Sequence, residues 1–209
     1  IPFLTELVRV LPGLELRFHR GSNGEVAELL KKGEVEIAVA GPLDGAWDRL
    51  DSWQLFSEPY RVVVGKSHRL AGSVRPIAPQ ELRMERLLCR NHCDNYQEVS
   101  EFLIQMGGLP QSKHDIWFEQ DIATFLNANL GIAIMPQSSI ASEHTAILEL
   151  EGLTAQRQVF AYGVAGRQRS VAANTLIKLL RAANWSAVQV NTFPVEAQSA
   201  KITGQAVRS

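Results

Sequence analysis

The stretch LELRFHRGSNGEVAELLKKGEVEIAVAG, residues 14–41, contains the sequence signals of a strand, a loop, a helix and a second strand. Leu14, Leu16 and Phe18 alternate with polar residues, which is the period of a strand with one buried face. The run from 37 to 40 is apolar throughout, as in a strand that is covered on both faces. We therefore predict one βαβ unit across residues 14–41.

The helix of this unit has clear predicted ends. Ser22 and Glu25 fit a capping box, and residues 31–33 place two lysines and a glycine at the carboxyl end. The turn at residues 21–24 then lies between a strand and a helix amino terminus, where free backbone N–H groups and the helix dipole favour an anion. A capped turn without a ligand explains the same residues, so both interpretations stay open.

Composition and charge narrow the class of protein. The chain has 209 residues, of which 45% are hydrophobic and 21% charged, enough for one large or two small cores. No apolar run approaches the roughly 20 residues of a membrane span, and the first ten residues lack the charged start of a secretory signal. We expect a cytoplasmic protein that does not enter a membrane. The net charge of −1 and the absence of a Lys/Arg run predict that this chain itself does not bind DNA.

The rest of the chain continues the alternation of strands and helices. Helices are predicted at 3–11, 96–106, 122–130 and 171–180, and further strands at 53–56, 60–65, 87–89, 114–119, 131–135, 146–150 and 158–164. LLKKGEVEIAVAGP and LNANLGIAIMP share the order helix, glycine, strand. This order predicts an α/β fold of two subdomains joined by crossing strands near Gly65 and Ala161, with a cleft between them.

The predicted division of the chain follows from those crossings. Residues 1–65 and 159–187 form the first subdomain, and residues 66–158 form the second. Residues 188–209 lose periodicity and are predicted to be a disordered tail.

Three stretches, in this order, resemble one known family. PGLELRFHRGSNGEVAELLKKGEVEIAVAG is similar to its P-x-V-x-L-x-x-x-x-G-x-x-x-x-L-x-x-x-L-x-x-G-x-x-D-x-A-[IL] pattern, EPYRVVVGKSHRLAG to L-x-x-E-P-L-x-x-V-x-x-x-x-H-P-L, and LGIAIMPQSS to G-x-G-[IV]-x-x-[LM]-P. On these residues the chain resembles the effector-binding domain of LysR-type transcriptional regulators over about residues 1–185. It departs from the family at Glu36 in place of the usual Asp, at Arg69 in place of Pro, and at Asn129 in place of the first Gly.

The resemblance implies a fold and a function. The implied fold is α/β, with two Rossmann-like subdomains, a type 2 periplasmic-binding-protein-like arrangement and an interlobe cleft. The implied function is non-catalytic: a small, anionic metabolite binds between the lobes and modulates DNA binding by an amino-terminal domain expected before Ile1. The family also implies a homodimer or homotetramer, DNA contact only through that other domain, and no cofactor beyond the effector.

Carried over position by position, the resemblance places the effector against three loops. The Ser22 hydroxyl and the Asn23 amide can contact a carboxylate while capping the helix. Arg90 can clamp a carboxylate with two hydrogen bonds, and His92 is a pH-sensitive donor, although a solvated loop is the alternative for both. The predicted ligand-binding residues are Gly21, Ser22, Asn23, Gly24, Arg90, Asn91, His92 and Gln120.

The cysteines Cys89 and Cys93 suggest a second hypothesis, a thiol-based redox sensor. A C-x-x-x-C spacing need not bring two sulfurs to disulfide geometry, and a zinc site would need further ligands, so we predict no metal site. A buried strand position explains Cys89 more simply.

A third hypothesis is an extracytoplasmic solute-binding protein, which shares the two-lobe architecture.

Catalytic motifs are not found in the sequence. It has no G-x-S-x-G elbow, phosphate loop or H-E-x-x-H motif, so we assign no catalytic residue and do not expect an enzyme. We predict that His19, His68, His114 and His144 are surface residues.

Overall fold

Five helices and seven strands make up the described part of the chain, residues 2–43, 48–89, 95–139 and 143–185 of the computed structural model. For Pro2, Glu119 and Gln120 the backbone alone is described. In chain order the elements are α1 (Pro2–Val10), α2 (Asn23–Lys32), β1 (Ala38–Ala40), β2 (Leu50–Gly65), β3 (Arg86–Cys89), α3 (Tyr96–Gln105), β4 (Ser112–Asp115), α4 (Glu119–Asn127), β5 (Ala133–Pro136), β6 (Thr145–Leu148), β7 (Gln156–Val164) and α5 (Val171–Ala182). A 3-10 turn covers Pro79–Leu82.

Helix α2 has the ends that its sequence predicts. The Glu25 carboxylate accepts from the Ser22 backbone N–H at 2.7 Å, and the Ser22 hydroxyl accepts from the Glu25 N–H at 3.4 Å, which confirms the capping box. Gly33 ends the helix at φ 77°, a left-handed conformation that glycine adopts without steric cost. These features span a few residues each, so local sequence was enough to predict them.

The prediction of a first strand at residues 14–18, at the start of the βαβ unit, is wrong. No ladder in the described part of the chain includes residues 14–18, and the Phe18 side chain is 69% exposed. Strand β1 pairs antiparallel with β7, and Val39 at its centre is 54% exposed, so β1 is not covered on both faces as predicted. Alternation shows that a segment could be a strand, but a strand forms only where a neighbour takes up its backbone N–H and C=O groups.

Strand β2 links the two halves of the structure because it changes partners along its length. It pairs with β7 from Leu50 to Pro59, and with β5 and β6 from Tyr60 to Gly65. The sheet has the order β1-β7-β2-β5, with β6 also on β2, and β3 and β4 form a parallel pair beside β5. We propose that the subdomain boundary lies where β2 changes partners; the division at residues 65 and 158 stays a prediction.

Separate hydrophobic clusters lie along the two parts of β2. The clusters beside β7 are built on Leu30, Ala38, Leu43, Tyr162 and Val164, and on Leu55, Val159, Ala161 and Leu180. The clusters beside β5 and β6 include Val62, Leu82, Leu103 and Ile132, and Val63, Ile122, Leu126 and Met135. Burying one such Leu or Ile side chain contributes roughly 1.5–3 kcal/mol, so each half has a core of its own.

Glu36, the acidic residue before β1, connects that strand to the last helix. Its carboxylate accepts from the Ser170 backbone N–H at 2.6 Å and from the Ser170 hydroxyl at 2.9 Å. The same hydroxyl accepts from the Ala173 N–H and thus caps α5. The longer side chain of Glu therefore serves as an acceptor at this position.

His68 is not a surface residue, contrary to the prediction. It is 8% exposed, and its Nε2 lies 3.1 Å from a Glu85 carboxylate oxygen. Its Nδ1 accepts from the Leu70 backbone N–H at 3.2 Å, so Nε2 is the nitrogen that carries the proton toward Glu85. The prediction was wrong because the hydrogen-bond acceptor of His68 is Glu85, which lies seventeen residues later in the chain, and local sequence does not show that the two meet.

Candidate functional site

A pocket lies in the second half of the molecule, against α3, β3 and β5. It is a concave site that is partly open to solvent. Most of its lining is apolar: Leu87, Leu88, Val99, Leu103, Ile122, Ile134, Met135 and Pro136. The remaining lining residues are Tyr60, Cys89, Asn95, Tyr96, Ser100, Ser139 and Arg157.

One face of α3 and consecutive residues of β3 and β5 form this lining. Val99 and Leu103 are four residues apart and face the core, with Ser100 beside them. The strands β3 and β5 lie side by side, since Leu87 of β3 bridges to Ile132 directly before β5. The helix and the strands thus provide an apolar wall once α3 packs beside β3 and β5.

Two lining residues come from the strands that connect the halves. Tyr60 lies on β2 where that strand changes partners, and its hydroxyl donates to the Asn95 amide oxygen at 3.4 Å. Arg157 lies on β7 opposite Glu58 of β2. A ligand in the pocket would therefore touch both connecting strands.

Glu58 is the buried charge of this region, with 2% of its surface exposed. The Arg157 Nε donates to one Glu58 carboxylate oxygen at 2.8 Å, and the Arg157 Nη2 donates to the same oxygen. The Ser138 backbone N–H and hydroxyl donate to the carboxylate at 2.6 Å and 3.0 Å. We call Glu58, Arg157 and Ser138 the connecting cluster, because it joins β2, β7 and the loop after β5.

The predicted anion-binding turn at Gly21–Gly24 is already occupied by a carboxylate of the protein. The Ser22 backbone N–H and hydroxyl both donate to Glu25, at 2.7 Å and 2.9 Å. The Asn23 amide donates to the Pro42 carbonyl at 3.0 Å. An effector carboxylate at this turn would have to displace Glu25, and no residue of the turn lines the pocket.

The other predicted site residues have different outcomes. Arg90, Asn91, His92 and Cys93 lie outside the described residues. The nearest described residues before and after them, Cys89 and Asn95, both line the pocket. Ile122 also lines it and lies two positions after Gln120, whose side chain is not described. The ligand roles assigned to the turn and to these loops therefore remain predictions.

Sequence reasoning missed Tyr60, Ser139 and Arg157 of the pocket and the whole connecting cluster. One signal was available, since Glu58 lies two positions before the apolar strand segment that begins at Tyr60. A buried Glu is almost always paired, so an acceptor at that position predicts a cationic partner. The partner itself is 99 residues away and could not be read from the sequence.

Cys89 is a buried strand residue, as the simpler hypothesis holds. It ends β3 with 3% of its surface exposed. Within the ranges that the structure describes, no cluster of three or more His, Cys, Asp or Glu side chains could hold a metal ion. The thiol-sensor hypothesis receives no support from the described contacts of Cys89.

We expect the capping box to make part of the stability of α2 dependent on pH. Hydrogen bonds from the Ser22 backbone and then from its hydroxyl lower the pKa of Glu25. A carboxyl whose pKa is lower in the folded state stabilises the fold above its unfolded pKa, and this contribution is lost as pH falls through the folded value. The difference in melting temperature between the parent and Glu25→Gln should therefore shrink from about pH 7 to about pH 3.

Thermal melts of both proteins across that range, with Glu15→Gln as an exposed control, measure this difference. A difference that stays constant or grows on acidification would contradict the role of Glu25.

No helix in the described ranges combines the length and the apolar composition needed to cross a membrane.

Comparison with known proteins assigns the fold. The LysR substrate binding domain model matches residues 1–185. Among solved structures, the CcmR regulatory domain of Synechocystis PCC6803 in complex with 2-PG aligns at a TM-score of 0.72 and 20% identity, over 91% of each chain. HinK, a LysR family regulator from Pseudomonas aeruginosa, aligns at 0.73 and 14% identity, over 86% of this chain and 63% of its own.

A third structure, the effector binding domain of QuiR in complex with shikimate, aligns at a TM-score of 0.68 and 15% identity, over 86% of this chain and 87% of its own. The comparison with curated proteins returns no match. The structural likeness agrees with the type 2 periplasmic-binding-protein-like fold predicted from the sequence.

Proposed function

The chain belongs to the LysR substrate binding domain family, and from that premise we propose that it senses a small-molecule effector held in the pocket between α3 and β5. The observation that carries this proposal is the lining of the pocket. Apolar side chains surround most of the space, and a few polar groups converge on it, two of them from the connecting strands. A site of this kind holds a small molecule and reports its presence to both halves.

The signal would be a change in the relative position of the two halves. Tyr60 and Arg157 lie on β2 and β7, so a ligand that contacts them more closely in one arrangement shifts the population toward it. A ligand with equal affinity for both arrangements would shift nothing. The effector therefore acts through differential affinity, without any chemical step.

Two solved relatives support an anionic effector. The CcmR regulatory domain was solved with 2-PG and the QuiR domain with shikimate. We propose a small organic anion for this chain as well, with the Gly21–Gly24 turn and the loop that contains Arg90 and His92 as further contacts.

The remaining partners follow from the family. We propose that the chain is part of a cytoplasmic regulator whose other domain contacts DNA. We also propose that the domain formed by the present chain associates with copies of itself as a homodimer or homotetramer. The net charge of −1 supports the first point, since a chain that follows a phosphate backbone is basic. The hypothesis of an extracytoplasmic solute-binding protein gains no support from the family match.

Filling the pocket tests the proposal. A thermal-shift screen of small carboxylates and aromatic acids identifies a ligand, and calorimetry measures its Kd. We expect Ser100→Trp to weaken binding at least about thirtyfold, because the indole occupies the space beside Val99. Gln97→Trp, on the same helix but exposed and outside the lining, is the matched control and should bind like the parent.

Unchanged affinity in Ser100→Trp would show that the ligand binds elsewhere. The variant Ser22→Ala tests separately whether the Gly21–Gly24 turn contacts the ligand. If the turn forms part of the site, this variant weakens binding by more than its loss of stability accounts for.

A further inference from the structure

We propose that the pocket selects carboxylic acids with an apolar body, and that Arg157 recognises the carboxylate in competition with Glu58. The inference rests on the proposed function, since it assigns a ligand class to the same pocket. It makes Arg157 the residue that both determines specificity and transmits the signal.

Arg157 has donors left for a ligand. Its Nε and Nη2 bond to Glu58, and Nη2 also donates to the Ser138 hydroxyl at 3.1 Å. Among the described residues no acceptor is recorded for its Nη1, and 26% of its side chain is exposed. A guanidinium has five N–H donors in one plane and can bind two carboxylates from different edges. Because Arg157 also lines the pocket, a ligand carboxylate is the fitting acceptor for the remaining edge.

The rest of the described lining suits the apolar body of a ligand. Arg157 is the single charged side chain among the described lining residues, and the other polar groups are hydroxyls, an amide and a thiol. A hydrocarbon or aromatic body suits the same surface. The described lining therefore favours a carboxylic acid whose remaining atoms are apolar.

Competition for Arg157 would alter the connecting cluster. Glu58 is almost fully buried and now shares its carboxylate between Arg157 and Ser138. A ligand carboxylate that attracts the guanidinium weakens its bonds to Glu58, which then relies more on Ser138. Ser138 belongs to the loop after β5, and its neighbour Ser139 lines the pocket. Ligand binding is thereby coupled to the contact between β2, β7 and that loop.

Two isosteric probes test the inference. Calorimetry with phenylacetate and phenylacetamide gives a ratio of affinities that isolates the charge of the head group. In the parent protein we expect phenylacetate to bind about tenfold more tightly. Glu58→Gln removes the competing charge and should raise the ratio about fivefold, whereas Arg157→Lys removes the planar fork and should lower it toward about one. A purely structural role would change the affinity of both probes alike.

The possible outcomes separate this inference from the proposed function. A ratio near one in the parent, or a ratio that neither variant changes, overturns the role of Arg157. Failure of both probes to bind at millimolar concentration overturns the ligand class. If both bind with a ratio near one and Ser100→Trp abolishes both, the pocket remains the site and only the role of Arg157 is lost. If Ser100→Trp has no effect on either probe, the proposed function itself is wrong.

Discussion

Replacing Arg157 with methionine is expected to lower the free energy of unfolding by about 3 kcal/mol or more, because it leaves a buried carboxylate without its cation. Glu58 is 2% exposed, and its other donors, the Ser138 N–H and hydroxyl, are neutral. For a domain of this size the loss corresponds to a fall in melting temperature of about 10 °C. Denaturant unfolding and a thermal melt measure both quantities.

The double variant Glu58→Gln with Arg157→Met is the informative comparison. It removes the buried charge together with its partner and should recover much of the lost stability, because an amide can still accept from Ser138. Arg83→Met, at an exposed arginine, is the matched control for loss of one positive charge. A loss below about 1 kcal/mol in Arg157→Met would show that the connecting cluster contributes little to the folded state.

Replacing Gly65 with alanine is expected to cost about 3 kcal/mol, because a Cβ at this position would lie 2.2 Å from the Leu126 carbonyl oxygen. Neither the backbone at position 65 nor the Leu126 carbonyl can move easily. Gly65 is paired with Thr145 at the end of β2, and the Leu126 carbonyl accepts from the Asn129 N–H at 2.9 Å. Asn129 has φ 55°, in the left-handed region where a carbonyl shift would disturb the end of α4.

Gly72→Ala is the control for this steric argument. A Cβ at Gly72 meets no heavy atom within 4 Å, so the free energy of unfolding should change by less than about 0.5 kcal/mol. Urea titration of the two variants side by side measures the contrast. Equal stabilities would mean that β2 and α4 separate without cost.

Prediction from sequence worked where the stabilising contacts are local. The capping box of Ser22 and Glu25 and the left-handed Gly33 were predicted correctly, because each depends on residues within one or two helical turns. The helices α3 and α5 also lie where their apolar spacing predicts, at Tyr96–Gln105 and Val171–Ala182. A pattern of period 3.6 contains most of the information that a helix needs.

Prediction failed where a contact partner is distant in the chain. The segment 14–18 has the alternation of a strand but no ladder, and His68 has the composition of a surface turn but binds Glu85. For the same reason the sequence did not predict that Tyr60 and Arg157 line a pocket. Tyr60 and Arg157 join the pocket only after β2 and β7 have paired.

The sequence by itself determined the approximate positions of the helices, the caps of α2 and the family, since periodicity, capping residues and spaced motifs are all properties of neighbouring residues. Only the tertiary structure decided which strands pair, that Glu58 meets Arg157 and Ser138, and that a pocket opens between α3 and β5. These contacts join residues about 80 to 100 positions apart. Their formation depends on the packing of whole elements, and no local pattern specifies it.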